Sequence, residues 1–150
     1  MRELLIFTAV IFLSRFLGLD NFTPVLAFAL LTPNLTKNTY LQYALPLGIM
    51  LLSDPLLGGY STATPFVYLA IASCTLIGSI VSNHAHRIVL SGATWHLFML
   101  PTTLLHPDSS YLLQVQADLV VLAGTVVTYY TIIGIRNFVE FITSINPETR

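Results

Sequence analysis

The 150-residue sequence predicts an all-α integral membrane protein with six transmembrane helices, and three observations predict it. Hydrophobic residues make up 55% of the chain and charged residues only 9%, against ~25% charged in an ordinary soluble domain. The apolar residues come in runs separated by proline, glycine, asparagine and aspartate, the residues that break helices and make turns. When those runs are threaded alternately through a bilayer, the basic residues sort to one side. At this length the chain forms one transmembrane domain, residues 1–150.

Composition also excludes several function classes. Six Lys plus Arg against seven Asp plus Glu leave a formal net charge of −1, so no basic surface is available for a phosphate backbone and nucleic acid is not a partner. Cys74 is the single cysteine and lies in an apolar run, which excludes an intramolecular disulfide and a multi-Cys zinc site. The Walker-type Gly-x-x-x-x-Gly-Lys-Ser/Thr, Gly-x-Ser-x-Gly, His-Glu-x-x-His and Gly-x-Gly-x-x-Gly patterns do not occur. Neither enzymatic activity nor a cofactor is therefore expected, and any uphill transport needs energy from another chain.

The elements follow from punctuation. Residues 3–19 begin beside Met1-Arg2-Glu3 and meet Ser14-Arg15 with no Ala-x-Ala-like cleavage site, so the run reads as a retained helix rather than a signal peptide. A bilayer core of ~30 Å takes ~20 apolar residues, and shorter helices persist where they thin the bilayer or bury against neighbours. Thr23-Pro24 suits an N-cap and first turn and Pro33-Asn34 an end, which predicts a short helix over 22–33. Further runs cover 40–57, stopping at Gly58-Gly59, then 65–81, then 88–105 with a kink at Pro101. After His106-Pro107-Asp108-Ser109-Ser110, a sixth covers 111–135 and continues as an interfacial helix to about 145.

With six spans and both termini cytoplasmic, Arg2, Lys37, Arg87, Arg136 and Arg150 fall inside and only Arg15 outside. A five-span arrangement with an external N-terminus sorts the basic residues equally well; the uncleaved Met1-Arg2 start favours six. No internal repeat is visible, so alternating access within this chain alone is not expected.

Ionisable residues inside membrane segments cost at least a few kcal/mol and need a cavity or a partner. Arg15, Asp54 and Asp118 share the outer half of the predicted bundle, where they line an outward pocket, with Arg15 offering a planar fork and the two aspartates accepting from donors. The plainer alternative makes Arg15 the structural counter-ion of Asp54 or Asp118, or a snorkelling residue. Asn21 either lines the same pocket or serves as a turn residue before a helix start. Trp95-His96 gives an aromatic face and a titrating group at mid-depth, set against the commoner role of a lone membrane histidine as a helix-to-helix hydrogen bond. A metal site at His96 lacks a second ligand in reach. His84-Ala85-His86-Arg87 reads as a wet cytoplasmic turn that sets topology. Ala70, Cys74, Gly78 and Ser82 recur every four positions, a small-residue stripe that permits close helix packing inside this chain or against another protein. Tyr60, Tyr111 and Tyr129-Tyr130 suit aromatic belts or cavity lining.

Arg15 to Leu30, reading Arg-Phe-Leu-Gly-Leu-Asp-Asn-Phe-Thr-Pro-Val-Leu-Ala-Phe-Ala-Leu, resembles the opening motif of an uncharacterised bacterial integral-membrane family related to the S components, the substrate-binding subunits, of energy-coupling-factor (ECF) transporters. The likeness continues through Ala44-Leu45-Pro46-Leu47, Met50-Leu51-Leu52-Ser53-Asp54, Leu57-Gly58 and Ala63-Thr64-Pro65, and loosely at Ala117-Asp118-Leu119. The resemblance implies a six-helix S-component-like bundle in the bacterial inner membrane, both termini cytoplasmic, that captures a vitamin-like molecule and works with a coupling subunit and ATPases. The alternative is a non-catalytic accessory subunit of a larger membrane complex. Two departures stand out. The first helix has Ala9 followed by Leu13 where S components carry Ala-x-x-x-Ala for docking, and the fifth has Trp95-His96 where the related family has an Asn near an aromatic.

Overall fold

Apolar runs cut by proline and glycine fold here into helices alone. The structure, a computed structural model, describes residues 2–17, 24–105 and 110–145, and among the described residues there is no strand. The elements are α1 (Arg2–Ser14), a 3-10 turn (Arg15–Leu17), α2 (Val25–Leu35), α3 (Thr39–Ser53), a second 3-10 turn (Asp54–Leu56), α4 (Thr64–Ile80), α5 (His84–Leu105) and α6 (Tyr111–Ile145). Of these, α6 alone is long and apolar enough to cross a membrane by length and composition; α2 and α4 are apolar but shorter.

The central helix, α2, is the shortest of the α-helices. Every residue of α2 from Val25 to Thr32 is buried, so it meets neighbours on all sides. A helix that is apolar all round is stable only when so enclosed. Its main partner is α4, and the contact is tight: a Cβ on Gly78 would stand 2.3 Å from the Leu30 carbonyl oxygen. Ala70, Cys74 and Gly78 are all buried, so the small-residue stripe is used inside this chain. That corrects its alternative reading as a surface for another protein; Ser82 lies beyond the end of α4 and is exposed.

Pro33 does not end α2, as its position predicted, because the carbonyl it orphans finds another donor. Proline has no N–H for the carbonyl four residues back; for Pro33 that is Ala29, and for Pro46, inside α3, it is Gln42. The Thr32 hydroxyl lies 3.0 Å from both the Ala29 and the Gln42 carbonyl oxygens. One buried side chain thus serves both proline-broken turns and ties α2 to α3. The hairpin is completed by the Gln42 amide donating to the Thr36 carbonyl at 2.8 Å and by Asn38, whose side chain caps α3 through the Tyr40 and Leu41 N–H groups.

Other boundaries move for local reasons. The first helix stops at Ser14, not 19, and tightens to a 3-10 turn. The third ends at Ser53 instead of 57, where Asp54-Pro55 opens a 3-10 turn and Gly58 and Gly59 take φ values of 129° and 88° to reverse the chain. The fifth starts at His84 rather than 88 because Asn83 accepts from the His86 N–H as a cap. His84, Ala85 and His86 are exposed, as the wet-turn reading expects, but Arg87 departs from it and is only 6% exposed. Helix α5 also runs on through Pro101, and α6 is one continuous helix to Ile145, with no separate interfacial segment.

Thr32→Val keeps shape and volume but removes the one hydroxyl proton shared between the buried Ala29 carbonyl and the part-buried Gln42 carbonyl, which costs about 1–3 kcal/mol. The variant is expected to unfold in detergent at a clearly lower temperature than wild type, while Thr8→Val, which removes a hydroxyl bonded within its own helix, shifts it little. Equal midpoints for the two variants would exclude the double role of Thr32.

Candidate functional site

The residues singled out in the sequence separate into two clusters. In the first, the turn after α1 carries Arg15, whose Nη2 donates to Asp54 Oδ1 at 2.6 Å, and Tyr68 of α4 donates its hydroxyl to Asp54 Oδ2 at 3.0 Å. Asp54 sits where α3 gives way to its 3-10 turn, and its own carbonyl accepts from the N–H groups of Leu57 and Gly59. The ion pair is mostly enclosed, with side-chain exposures of 14% and 11%, and Arg15 Nε is buried without a partner. Three elements are thereby fastened at one point. This is the counter-ion reading of Arg15, with Asp54 as partner and not Asp118.

The second cluster joins α5 and α6. Asp118, 9% exposed, accepts three hydrogen bonds: Trp95 Nε1–H at 3.0 Å and Gln114 Nε2 at 2.7 Å on Oδ1, and His96 Nδ1 at 2.5 Å on Oδ2. Adjacent residues on α5 both reach it because one turn inward the helices approach closely; a Cβ on Gly92 would stand 2.9 Å from Leu122 Cδ1. Nδ1 faces the carboxylate and donates to it, and Nε2 lies 3.3 Å from the Tyr111 hydroxyl. The Tyr111 ring also packs edge-on against His96, with centroids 5.9 Å apart.

Beside this cluster lies a cleft of about 290 Å³. Gly92, Val115, Leu119 and Leu122 form its apolar wall, and His96, Tyr111 and Asp118 supply the polar side. The carboxylate is already held by three protein donors, and the other polar groups at the cleft, His96 Nε2 and the Tyr111 hydroxyl, are bonded to each other at 3.3 Å, so a ligand reaches them by sharing or opening that bond. Such a cleft takes a small molecule with an apolar body and one or two hydrogen-bonding groups. Among the described residues no group of three or more His, Cys, Asp or Glu is placed to hold a metal ion.

Of the predicted site residues, Trp95, His96 and Asp118 meet, Arg15 and Asp54 meet separately, and Asn21 lies outside the described residues. Gln114 and Tyr68 were not foreseen. Gln114 was findable, since it stands four residues before Asp118 and so on the same helix face; no spacing links Tyr68 to Asp54.

Removing one partner of a buried pair leaves an uncompensated charge and costs about 3–5 kcal/mol. Asp54→Asn is expected to destabilise on that scale, and Arg15→Met added to it recovers much of the loss. A double-mutant cycle of unfolding in detergent measures the coupling, and additive losses would show that the pair does not fasten the fold.

No curated protein and no solved structure matches the chain. A family match extends over residues 2–106, which takes in α1 to α5 with Arg15, Asp54, Trp95 and His96 and stops short of α6 with Asp118. The chain belongs to that family, DUF6580, a family of unknown function.

Proposed function

We propose that the protein is a six-span membrane subunit that captures a small molecule on the outer side, in the manner of an ECF S component, within an assembly whose other subunits supply the energy. The observation that carries this reading is the α5–α6 cleft, where His96 and Tyr111 face an apolar wall and Asp118 behind them fixes the ring. In this role His96 and Tyr111 bind, and Asp118, Trp95 and Gln114 position.

The membrane setting is supported by the outer surface. Leu5, Leu13, Leu69, Ile80, Leu97 and Leu104 are each at least half exposed, and an apolar girdle spread over several helices is rare on soluble monomers. At 1.5 Å per residue, α4 and α5 reach ~26 and ~33 Å, close to the ~30 Å of a hydrocarbon core. Enclosed on all sides, α2 meets little lipid, so its shortness carries no mismatch penalty. A non-catalytic accessory subunit is the second reading, favoured by the last turns of α6, where Phe138, Ile142 and Ile145 share an exposed face.

Cysteines placed at Glu3 and Lys37 are expected to react with an impermeant reagent from the same, cytoplasmic side; opposite sides would refute six spans.

The capture role is tested on protein extracted in mild detergent. Mass spectrometry is expected to find a small molecule released from wild type and lost from His96→Asn and Tyr111→Phe at unchanged elution volume, with a coupling subunit and ATPases copurifying. The same molecule retained by both variants would refute the cleft as its site. Copurification with an unrelated membrane assembly instead would favour the accessory reading.

A further inference from the structure

At the opposite end of the bundle from Arg15, Arg87 is buried in the first turn of α5, 6% exposed. Among the described residues its guanidinium meets neutral acceptors: the Val81 carbonyl, the Tyr129 hydroxyl at 3.5 Å and Asn34 Oδ1 at 3.5 Å. Among the described residues the arginine–carboxylate pairs are Arg15–Asp54 and Arg136–Glu140, and neither involves Arg87. Asn34 connects it to a second guanidinium, since the Asn34 carbonyl accepts from Arg136 Nη1 at 3.4 Å. Arg136 is also bonded to Glu140 at 2.9 Å, and His84 Nδ1 lies 2.7 Å from the Tyr129 hydroxyl.

Of these residues, Asn34, His84, Arg136 and Glu140 line a cleft of about 280 Å³ between α2 and the last third of α6, and Arg87 lies outside its lining. Asn34, His84, Arg136, Asn137 and Glu140 form its polar side and four aliphatic side chains of α2 and α6 its apolar side. In the lining itself Arg136 and Glu140 balance each other, and the charge left without a carboxylate is that of Arg87, held behind Asn34, which makes this end of the bundle net positive. The carbonyls that close α2 and α4 absorb part of it, because helix C-termini attract cations. They do not account for the open cleft with amides and an imidazole around Arg136. Charged, amide and imidazole donors beside an aliphatic wall suit an anion of fork-compatible geometry attached to an apolar body.

We propose that this cleft binds a phosphate group, carried by an anionic lipid of the cytoplasmic leaflet or as free phosphate. Arg136 supplies the guanidinium contact, Asn137 and His84 add donors, and Arg87 contributes charge through Asn34 as a positioning residue. The lipid source rests on the membrane reading above; the anion site does not.

The test uses the full chain, purified in a zwitterionic detergent and followed by thermal unfolding. One arm titrates phosphatidylglycerol against phosphatidylcholine as control, and the other titrates inorganic phosphate against chloride at equal ionic strength. A rise in midpoint with phosphatidylglycerol alone assigns a lipid, and a rise with inorganic phosphate assigns the free ion. Arg136→Gln, at a partly exposed position, is expected to fold and to weaken the effect about tenfold or more in midpoint concentration. Glu140→Gln removes the competing carboxylate and is expected to strengthen it. No rise in either arm, or a rise that both variants leave unchanged, would overturn the site. Loss of the anion site with small-molecule capture intact would leave the α5–α6 reading standing, and the converse holds equally.

Discussion

An eleven-residue helix with no exposed side from Val25 to Thr32 is the constraint on which the rest of the bundle depends. Enclosing it needs a neighbour that comes within backbone distance, and Gly78 on α4 is where the absence of a side chain permits that approach. Enclosure also forbids loose ends, since a buried carbonyl without a donor is costly. Pro33 and Pro46 create two such carbonyls, and Thr32 sits between both. The packing of α2 against α3 and α4 is therefore decided by backbone satisfaction and close approach as much as by apolar area.

Around this centre the polar residues fall into three groups with different characters. Arg15, Asp54 and Tyr68 form a closed clasp whose carboxylate is fully engaged. Asp118 is equally engaged, yet its partner His96 presents a second nitrogen toward a cleft. That difference sets the two clusters apart: the Asp54 carboxylate is enclosed between Arg15 and Tyr68, whereas the His96 ring fixed by Asp118 turns its second nitrogen, bonded to Tyr111, toward a cleft. The third group, around Arg87 and Arg136, differs again in carrying more positive charge than the neighbouring carboxylate balances.

Some of this was legible in the residues alone. The all-helical class, the number of helices and most of their spans follow from apolar runs and their breakers, because those signals are local. The pairing of Arg15 with a buried aspartate follows from the cost of an isolated charge. Asn38, Asn83 and the Gly58-Gly59 turn act through neighbours one to five residues away, so their effect on boundaries also belongs to the sequence, though Asn83 moved a helix start that spacing had set four residues later.

What the tertiary structure decided involves residues far apart in the chain. Whether Arg15 meets Asp54 or Asp118 depends on how α3 and α6 are arranged, and composition is the same either way. The continuation of α2 through Pro33 rests on a hydroxyl shared with a carbonyl ten residues away in another helix, which no helix-stop rule contains. Arg87 looked like a wet loop residue because a basic residue near a turn usually is one; it is buried because Val81, Asn34 and Tyr129, from three separate segments, converge on it. Local sequence sets where the backbone turns and which faces are apolar. Which polar groups end up together is fixed only when the helices pack, because each partner comes from a different stretch of the chain.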